Sequence, residues 1–229
     1  MIALKSNTHT HSRGLFRLYL ILSVHMVFIY WKREMNVNDL LKSEHVIAII
    51  PYGSHVYGTA DYNSDHDYIV IVRDGVEHDD QYRTHIGDYS VYSASHFQKL
   101  LDEQYIGAIE AFFTTPTQGS LKQFTYKVNL SKLRESISQR ASNSFVKCKK
   151  KLTVETNEER IGIKSLFHSL RMISFGIQIA TKGKIEDFTC ANHYWDDIQT
   201  IGYDWNSLKE KYQPVYNQLS SDFRLVAPK

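Results

Sequence analysis

One stretch of the chain combines acidic residues with a spacing that suits metal binding. Residues 51–72 read PYGSHVYGTADYNSDHDYIVIV, so a Gly-Ser pair is followed, after ten intervening residues, by Asp-His-Asp. Side chains two residues apart share one face of a strand, so Asp65 and Asp67 would aim at the same point. Neighbouring carboxylates repel unless a cation neutralises them, and hard oxygen ligands suit Mg²⁺ or Mn²⁺. The spacing therefore indicates a divalent-metal site.

The Gly-Ser pair has the features of a phosphate-binding turn. Gly53 has no Cβ to keep a phosphate away from the backbone. Ser54 offers a hydroxyl and is expected to cap a short helix over residues 55–58, whose free N–H groups would attract anions. Such a turn beside two metal ions suits attack by a hydroxyl with loss of pyrophosphate. A tight turn followed by an acidic loop is the structural alternative.

A two-metal site needs a third carboxylate, and Asp88 is the best candidate. It opens the segment DYSVYS, which we expect to form a hairpin with residues 82–86 about Gly87-Asp88. The Asp88 strand would then lie beside the Asp67 strand in an antiparallel sheet. The local sequence leaves open the alternative that Asp88 is an ordinary turn aspartate.

A predicted helix over residues 158–181 carries an apolar stripe and a cationic stripe. At a period of 3.6 residues the core stripe contains Ile163, Leu166, Phe167, Leu170 and Ile177. Lys164, His168 and Arg171 fall on a neighbouring face, where a triphosphate or an RNA backbone would relieve their repulsion. The alternatives are a solvated basic face and, for His168, a neutral histidine packed in the core.

Two further charged features remain ambiguous from the sequence. Glu110, on a predicted helix over residues 108–113, could be the general base for the acceptor hydroxyl, a surface charge, or an ion-pair partner of Arg171. The second feature is a lysine cluster in one predicted helix: Lys147, Lys149, Lys150 and Lys151. This cluster is either a phosphate-binding ridge for RNA or a solvated helix end.

The remaining sequence predicts an α/β (α+β) fold, with a small mixed sheet of about four strands and flanking helices followed by a helical domain. We expect an extension over residues 1–34, a catalytic domain over 35–117 and a helical domain over 118–229. Residues 15–31 are mostly apolar and would be an upstream extension of the reading frame, an anchor helix or a soluble helix. The strands are predicted at residues 45–52, 67–72, 82–86 and 89–92. The longer helices are predicted at residues 95–104, 108–113, 130–152, 158–181 and 205–219.

Composition excludes several classes of protein. A hydrophobic fraction of 42% permits a packed core, and a net charge of +2 is too small to demonstrate a nucleic-acid partner. The two cysteines have no CxxC spacing, which argues against a structural zinc site or a disulfide framework. We therefore expect a cytoplasmic protein with no firm membrane partner.

The segment GSHVYGTADYNSDHDYIV resembles the GSxxYG and DxD motifs of the DNA polymerase β-like nucleotidyltransferase superfamily. The chain is most similar to the RNA-ligase-associated polymerase β-like family of predicted nucleotidyltransferases, through GDYSVYSASHFQKLL, AIEAFFT, SFVKCKKKL and IGIKSLFHSLRM. It departs from that family at His55, where Arg is frequent, and at residues 104–106 and 161–163. These departures bear on nucleotide and acceptor preference more than on metal binding.

The resemblance implies a function and a set of site residues. It implies Mg²⁺-dependent transfer of an NMP from an NTP, expected to be ATP, to a hydroxyl on an RNA end, in RNA repair. The implied metal ligands are Asp65, Asp67 and Asp88, with Glu110 as a further catalytic residue. The implied nucleotide-binding residues are Gly53, Ser54, Tyr57, Lys164, His168 and Arg171. Adenylylation of a protein or small molecule, and a non-catalytic nucleotide- or RNA-binding role, are the rival hypotheses.

Overall fold

The computed structural model describes residues 37–155 and 157–229, so the expectations for residues 15–31 lie outside the described part of the chain. The strands are β1 (Val46–Tyr52), β2 (Asp67–Val72), β3 (Gln81–Arg83), β4 (Asp88–Ser93) and β5 (Gln118–Gly119). The helices are α1 (Val37–Lys42), α2 (Ser54–Tyr57), α3 (Ala94–Asp102), α4 (Ile106–Phe113), α5 (Leu130–Thr153), α6 (Glu159–Lys182), α7 (Asn192–Ile201) and α8 (Trp205–Val226). Among these helices none is both long and apolar enough to span a membrane.

The strands form one mixed sheet in the order β3-β4-β2-β1-β5. The expected hairpin is present, because β3 and β4 pair antiparallel. The expectation that the Asp88 strand runs antiparallel to the Asp67 strand is wrong, since β2 and β4 are parallel. The reason is that β3 takes the outer edge and the chain turns back into β4, which then runs in the direction of β2. The register nevertheless places Asp67 directly opposite Asp88.

Strand β2 is covered on both faces, which explains its continuous apolar sequence. Ile69 and Ile71 belong to the main core, which the sheet shares with α3, α4 and the helical half. Val70 and Val72 belong to a second cluster beneath α1. Burial on both sides holds β2 rigidly, so the position of Asp67 at its first residue is well defined.

The helical half begins with two long helices, α5 and α6, each of 24 residues, against which α8 packs. The expected α+β fold, a mixed sheet with flanking helices followed by helices, is therefore confirmed. Helix α7 was not expected, although its apolar residues recur at helical spacing and pack on the helical half: Tyr194, Trp195, Ile198 and Ile201. Strand β5 lies just after the expected boundary at residue 117 and pairs with β1.

Candidate functional site

A cleft of about 350 Å³ opens between the sheet and the helical half. Side chains from both sides line it. The sheet side contributes Ser54, Tyr57 and Asp67, and the helical side contributes Lys147, Lys164 and His168. The structure thus brings together the Gly-Ser motif, the Asp-His-Asp motif and the cationic stripe, which are separated by up to about a hundred residues in sequence.

The turn after β1 holds Gly53 tightly against a carboxylate. Gly53 has φ = 76°, a conformation that side-chain-bearing residues rarely adopt. A Cβ on Gly53 would lie 2.1 Å from Oδ2 of Asp67, because Tyr52 pairs with Asp67 across β1 and β2. The expectation that Ser54 caps the following helix is wrong. Gly53 occupies the cap position without a side-chain bond, and Ser54 is the first residue of α2.

Three acidic side chains surround this point. Asp67 is partly buried, and burial raises the pKa of its carboxyl group, helped by the negative charges of Asp88 and then Asp65. Lys164 and His55 partly oppose the rise in the pKa. Asp65 lies outside regular structure, two residues before the first residue of β2. The carboxylates are therefore close enough to repel one another.

Asp88 is engaged by a cation from the neighbouring strand. Nε of Arg83 donates to both carboxylate oxygens, at 3.2 Å to Oδ1 and 3.0 Å to Oδ2. Within residues 37–155 and 157–229, no three metal-binding side chains are gathered as a preformed site. The acidic set still fits a divalent cation by its chemistry, since Asp65, Asp67 and Asp88 are hard oxygen donors near enough for their charges to repel one another. Arg83 is exposed, so its exchange for a metal at Asp88 would cost little.

Arg171 is part of a buried network beneath the cleft instead of a solvated stripe. It is only 5% exposed, and its guanidinium carbon lies 3.5 Å from the ring centroid of Tyr57. Its Nη2 donates to Nδ1 of His168 at 2.7 Å. Helix α2 places Tyr57 over the guanidinium. The arrangement of side chains around α6 alone does not predict this contact.

Glu110 lies on the other side of Arg171. It is 1% exposed, accepts a hydrogen bond from the Tyr57 hydroxyl, and has Oε1 at 4.0 Å from Nη2 of Arg171. Burial raises the pKa of Glu110, while Arg171 opposes that rise. Glu110 is not among the residues that line the cleft. Of the expected alternatives, the ion pair with Arg171 is the arrangement that the structure contains.

His168 is held as a neutral imidazole. A guanidinium only donates hydrogen bonds, so Nδ1 of His168 must accept from Arg171 and the ring proton resides on Nε2. Burial lowers the pKa of His168 to about 3, with further lowering by Arg171, Lys147 and Arg140. This arrangement matches the alternative of a neutral, packed histidine, although His168 is only partly buried and also lines the cleft.

The lysine cluster of α5 is divided between two environments. Lys147 lines the cleft, whereas Lys150 and Lys151 form ion pairs with Glu155, and Lys151 also with Glu158. Glu155 and Glu158 therefore neutralise Lys150 and Lys151, whose positive charges a phosphate-binding ridge would need. Of the four lysines, Lys147 is the one that lines the cleft.

Sequence reasoning missed an ion pair between two residues that line the cleft. Nη2 of Arg160, at the start of α6, lies 2.6 Å from Oδ2 of Asp61. Asp61 sits in the polar loop between α2 and β2, where its backbone N–H is hydrogen-bonded to Oγ of Ser64. The two residues are 99 positions apart, so no local pattern could have linked them.

No family model matches the chain, and no curated protein matches it. Among solved structures it is similar to a spectinomycin adenyltransferase from Enterococcus faecialis, solved with ATP and spectinomycin. The identity is 12% over 82% of this chain and 96% of that chain, with a TM-score of 0.44. It is also similar to a nucleotidyltransferase-like protein from Exiguobacterium sibiricum. There the identity is 11% over 83% of this chain and 69% of that chain, with a TM-score of 0.28.

Proposed function

We propose that the protein is a nucleotidyltransferase that moves an NMP from an NTP, with ATP as the leading candidate, to a hydroxyl of an acceptor. One observation carries this proposal. The Asp67 carboxylate, pressed against Gly53 and flanked by the charges of Asp65 and Asp88, faces Lys164 in the same cleft. A cleft with acids on one wall and cations on the other suits a metal-bound triphosphate.

The triphosphate would lie between the two walls of the cleft. Lys164 and Lys147 are exposed ammonium groups that can bind phosphate oxygens as point charges. Ser54 supplies a hydroxyl from the sheet side. Phe167 and Trp195 line the cleft with ring centroids 5.4 Å apart, and they offer an apolar surface to the base.

The metal ligands in this proposal are Asp65, Asp67 and Asp88. Bound Mg²⁺ would neutralise these carboxylates and the phosphates and would polarise the acceptor hydroxyl. The protein's own contribution is to hold Asp67 at a defined place, which it does through the rigid β2 strand and the Gly53 turn. Asp88 must exchange Arg83 for the metal.

The buried network has a positioning function in this proposal. Glu110 holds Arg171, and Arg171 holds both the Tyr57 ring and the neutral His168, which lines the cleft. Tyr57 and Arg171 thereby support the cleft from below. We propose the hydroxyl of an RNA end as the acceptor. Transfer of the NMP to a protein would instead make protein adenylylation the proposed reaction.

Label transfer tests the function. The full chain is incubated with Mg²⁺, each α-labelled NTP in turn, and either total RNA or lysate protein as acceptor. We expect label on RNA, lost when Asp65 and Asp67 are both changed to Ala. The matched control changes Asp79 and Asp80, two adjacent exposed acids of the β2–β3 loop, to Ala and should transfer normally. Label on protein overturns the RNA acceptor, and NTP binding without any transfer overturns the catalytic proposal.

A further inference from the structure

A second, smaller pocket of about 200 Å³ adjoins the cleft. His168 and Ser144 line both cavities, so the two are separated by no more than these side chains. The smaller pocket also contains Arg140 and Asn143 from α5, and Tyr105 from the start of α4. We call it the side pocket. The second reactant of a transfer reaction in the cleft would have to lie at this position.

The polar side chains of the side pocket can all donate hydrogen bonds. Ser144 and Asn143 have a hydroxyl and an amide, and the tautomer of His168 places its proton on Nε2. Arg140 adds a full positive charge. None of the residues that line the side pocket, within the described part of the chain, is acidic. A pocket with donors and a cation but no carboxylate favours an anion over an amine.

Arg140 is an exposed side chain that contacts the ring of Tyr105. Its guanidinium carbon lies 4.2 Å from the Tyr105 ring centroid, a cation–π contact that favours one orientation of the guanidinium. No carboxylate in residues 37–155 or 157–229 forms an ion pair with it. By contrast, Arg160 and Arg171, which line the cleft, are each paired with an acid. A guanidinium oriented by stacking keeps its donors available for bidentate binding of a phosphate.

The proposed function supplies the context for this site. A nucleotidyl transfer needs an acceptor whose hydroxyl reaches the cleft while the rest of the molecule lies outside it. The side pocket is smaller than the pockets of about 300–1,000 Å³ that hold whole ligands. It is large enough for one phosphate group and its immediate neighbours. A cationic acceptor, such as an aminosugar, would find Arg140 and no carboxylate there.

We propose that the side pocket binds a phosphate group of the acceptor through Arg140, so that the acceptor is a phosphate-bearing hydroxyl compound. This inference rests on the proposed function in one respect, namely that the bound molecule is the acceptor of the transferred nucleotide. The binding of phosphate by Arg140 is testable without any transfer. The phosphate can come from a small nucleotide or from an RNA end, and both sources present the same group to the guanidinium.

Calorimetry on the full chain provides the test. First the affinity for the non-transferable analogue α,β-methylene-ATP with Mg²⁺ is measured. Then, with this analogue saturating, a 5′-phosphorylated dinucleotide and its unphosphorylated twin are titrated, both joined by an uncharged methylphosphonate linkage so that they differ only by the charged 5′-phosphate. We expect the phosphorylated form to bind about tenfold more tightly, as one charge-assisted contact allows. Arg140→Ala should abolish this difference, and Arg140→Lys should retain part of it.

The control variant is Lys149→Ala, which removes one positive charge from the same helix but lines neither cavity. It should preserve the difference between the two dinucleotides. A 5′-phosphorylated RNA of about twelve nucleotides distinguishes the sources, because an RNA acceptor should bind more tightly than the dinucleotide with the same dependence on Arg140.

The outcomes separate the two proposals. Equal binding of the two dinucleotides by the unaltered protein, or a difference that survives Arg140→Ala, overturns the phosphate site. If the ATP analogue does not bind, the proposed function fails, and the dinucleotides are then titrated without it. A difference that still depends on Arg140 would preserve the phosphate site in that case.

Discussion

The α-carbon of Gly53 is packed so closely against the Asp67 carboxylate that a Cβ on Gly53 would lie 2.1 Å from Oδ2. Neither residue can move freely, since Gly53 follows β1 directly and Asp67 begins β2, and these strands are paired at Tyr52 and Asp67. The glycine of the Gly-Ser motif is therefore needed for the placement of a carboxylate.

Gly53→Ala should reduce transfer severely. The added Cβ would displace Asp67, and a shift of about 1 Å in a reacting group can cost on the order of 100-fold in rate. Steady-state kinetics measure this loss. Gly183→Ala is the control, because Gly183 has the same φ of 76° but no atom within 4 Å of an added Cβ. If both variants lose activity equally, backbone strain and not the contact with Asp67 is responsible.

Asp67→Asn should stabilise the metal-free protein while it abolishes activity. The pKa of Asp67 is raised in the folded protein. The Asp67 carboxyl group therefore adds to the free energy of unfolding below its ordinary pKa of 3.8, and this contribution is lost as the pH rises through the raised pKa. At pH 7 the ionised group is therefore unfavourable. We expect the variant to melt on the order of 2 °C higher in EDTA.

Addition of Mg²⁺ gives the complementary half of this experiment. Metal binding should raise the melting temperature of the unaltered protein, because a ligand bound only to the folded state stabilises it. The Asp67→Asn protein should show little or no rise. Destabilisation of the Asp67→Asn variant in EDTA would contradict the repulsion between the carboxylates. A rise in its melting temperature with Mg²⁺ as large as that of the unaltered protein would also contradict it.

Glu110→Ala should destabilise the fold by about 3 kcal/mol, because it leaves the buried Arg171 without its carboxylate. Urea denaturation followed by circular dichroism measures the free energy of unfolding. Glu103→Ala is the control, since Glu103 belongs to an exposed pair with Lys99 and should cost less than about 0.5 kcal/mol. Unchanged stability together with a large fall in kcat would instead make Glu110 a catalytic base.

His168→Asn should change how stability responds to acid. The pKa of His168 falls from its ordinary value of 6.5 to about 3, so the unfolded chain binds the proton first as the pH decreases. The contribution of His168 is complete above pH 6.5 and is lost as the pH falls from there toward 3. Asn retains an acceptor for Arg171 but does not titrate.

The measurement is the free energy of unfolding of both proteins from pH 7 to pH 4. The advantage of the unaltered protein should shrink on acidification by at most about 1.4 kcal/mol per pH unit. The cations whose charges act on His168 are Arg171, Lys147 and Arg140. Parallel pH profiles for the two proteins would contradict a neutral, buried His168.

The sequence predicted those features that depend on local pattern. The bounds of β2 and the helices α5 and α6 follow from apolar runs and from the 3.6-residue period. The parallel pairing of β2 with β4 depends on which strand takes the sheet edge, which no local pattern specifies. The burial of Arg171 beneath Tyr57 likewise results from contact between residues 114 positions apart in sequence. Helix α7 is ten residues long and was missed although Tyr194, Trp195, Ile198 and Ile201 have helical spacing.

The most direct test of nucleotidyl transfer follows the two ends of the triphosphate separately. The full chain is given Mg²⁺, RNA and ATP labelled either at the α or at the γ phosphate. We expect the α label to appear on the acceptor and the γ label to leave as pyrophosphate, with both events lost when Asp65 and Asp67 are changed to Asn. Transfer of the γ label to the acceptor, or α-label transfer that survives loss of both aspartates, would contradict the proposed function.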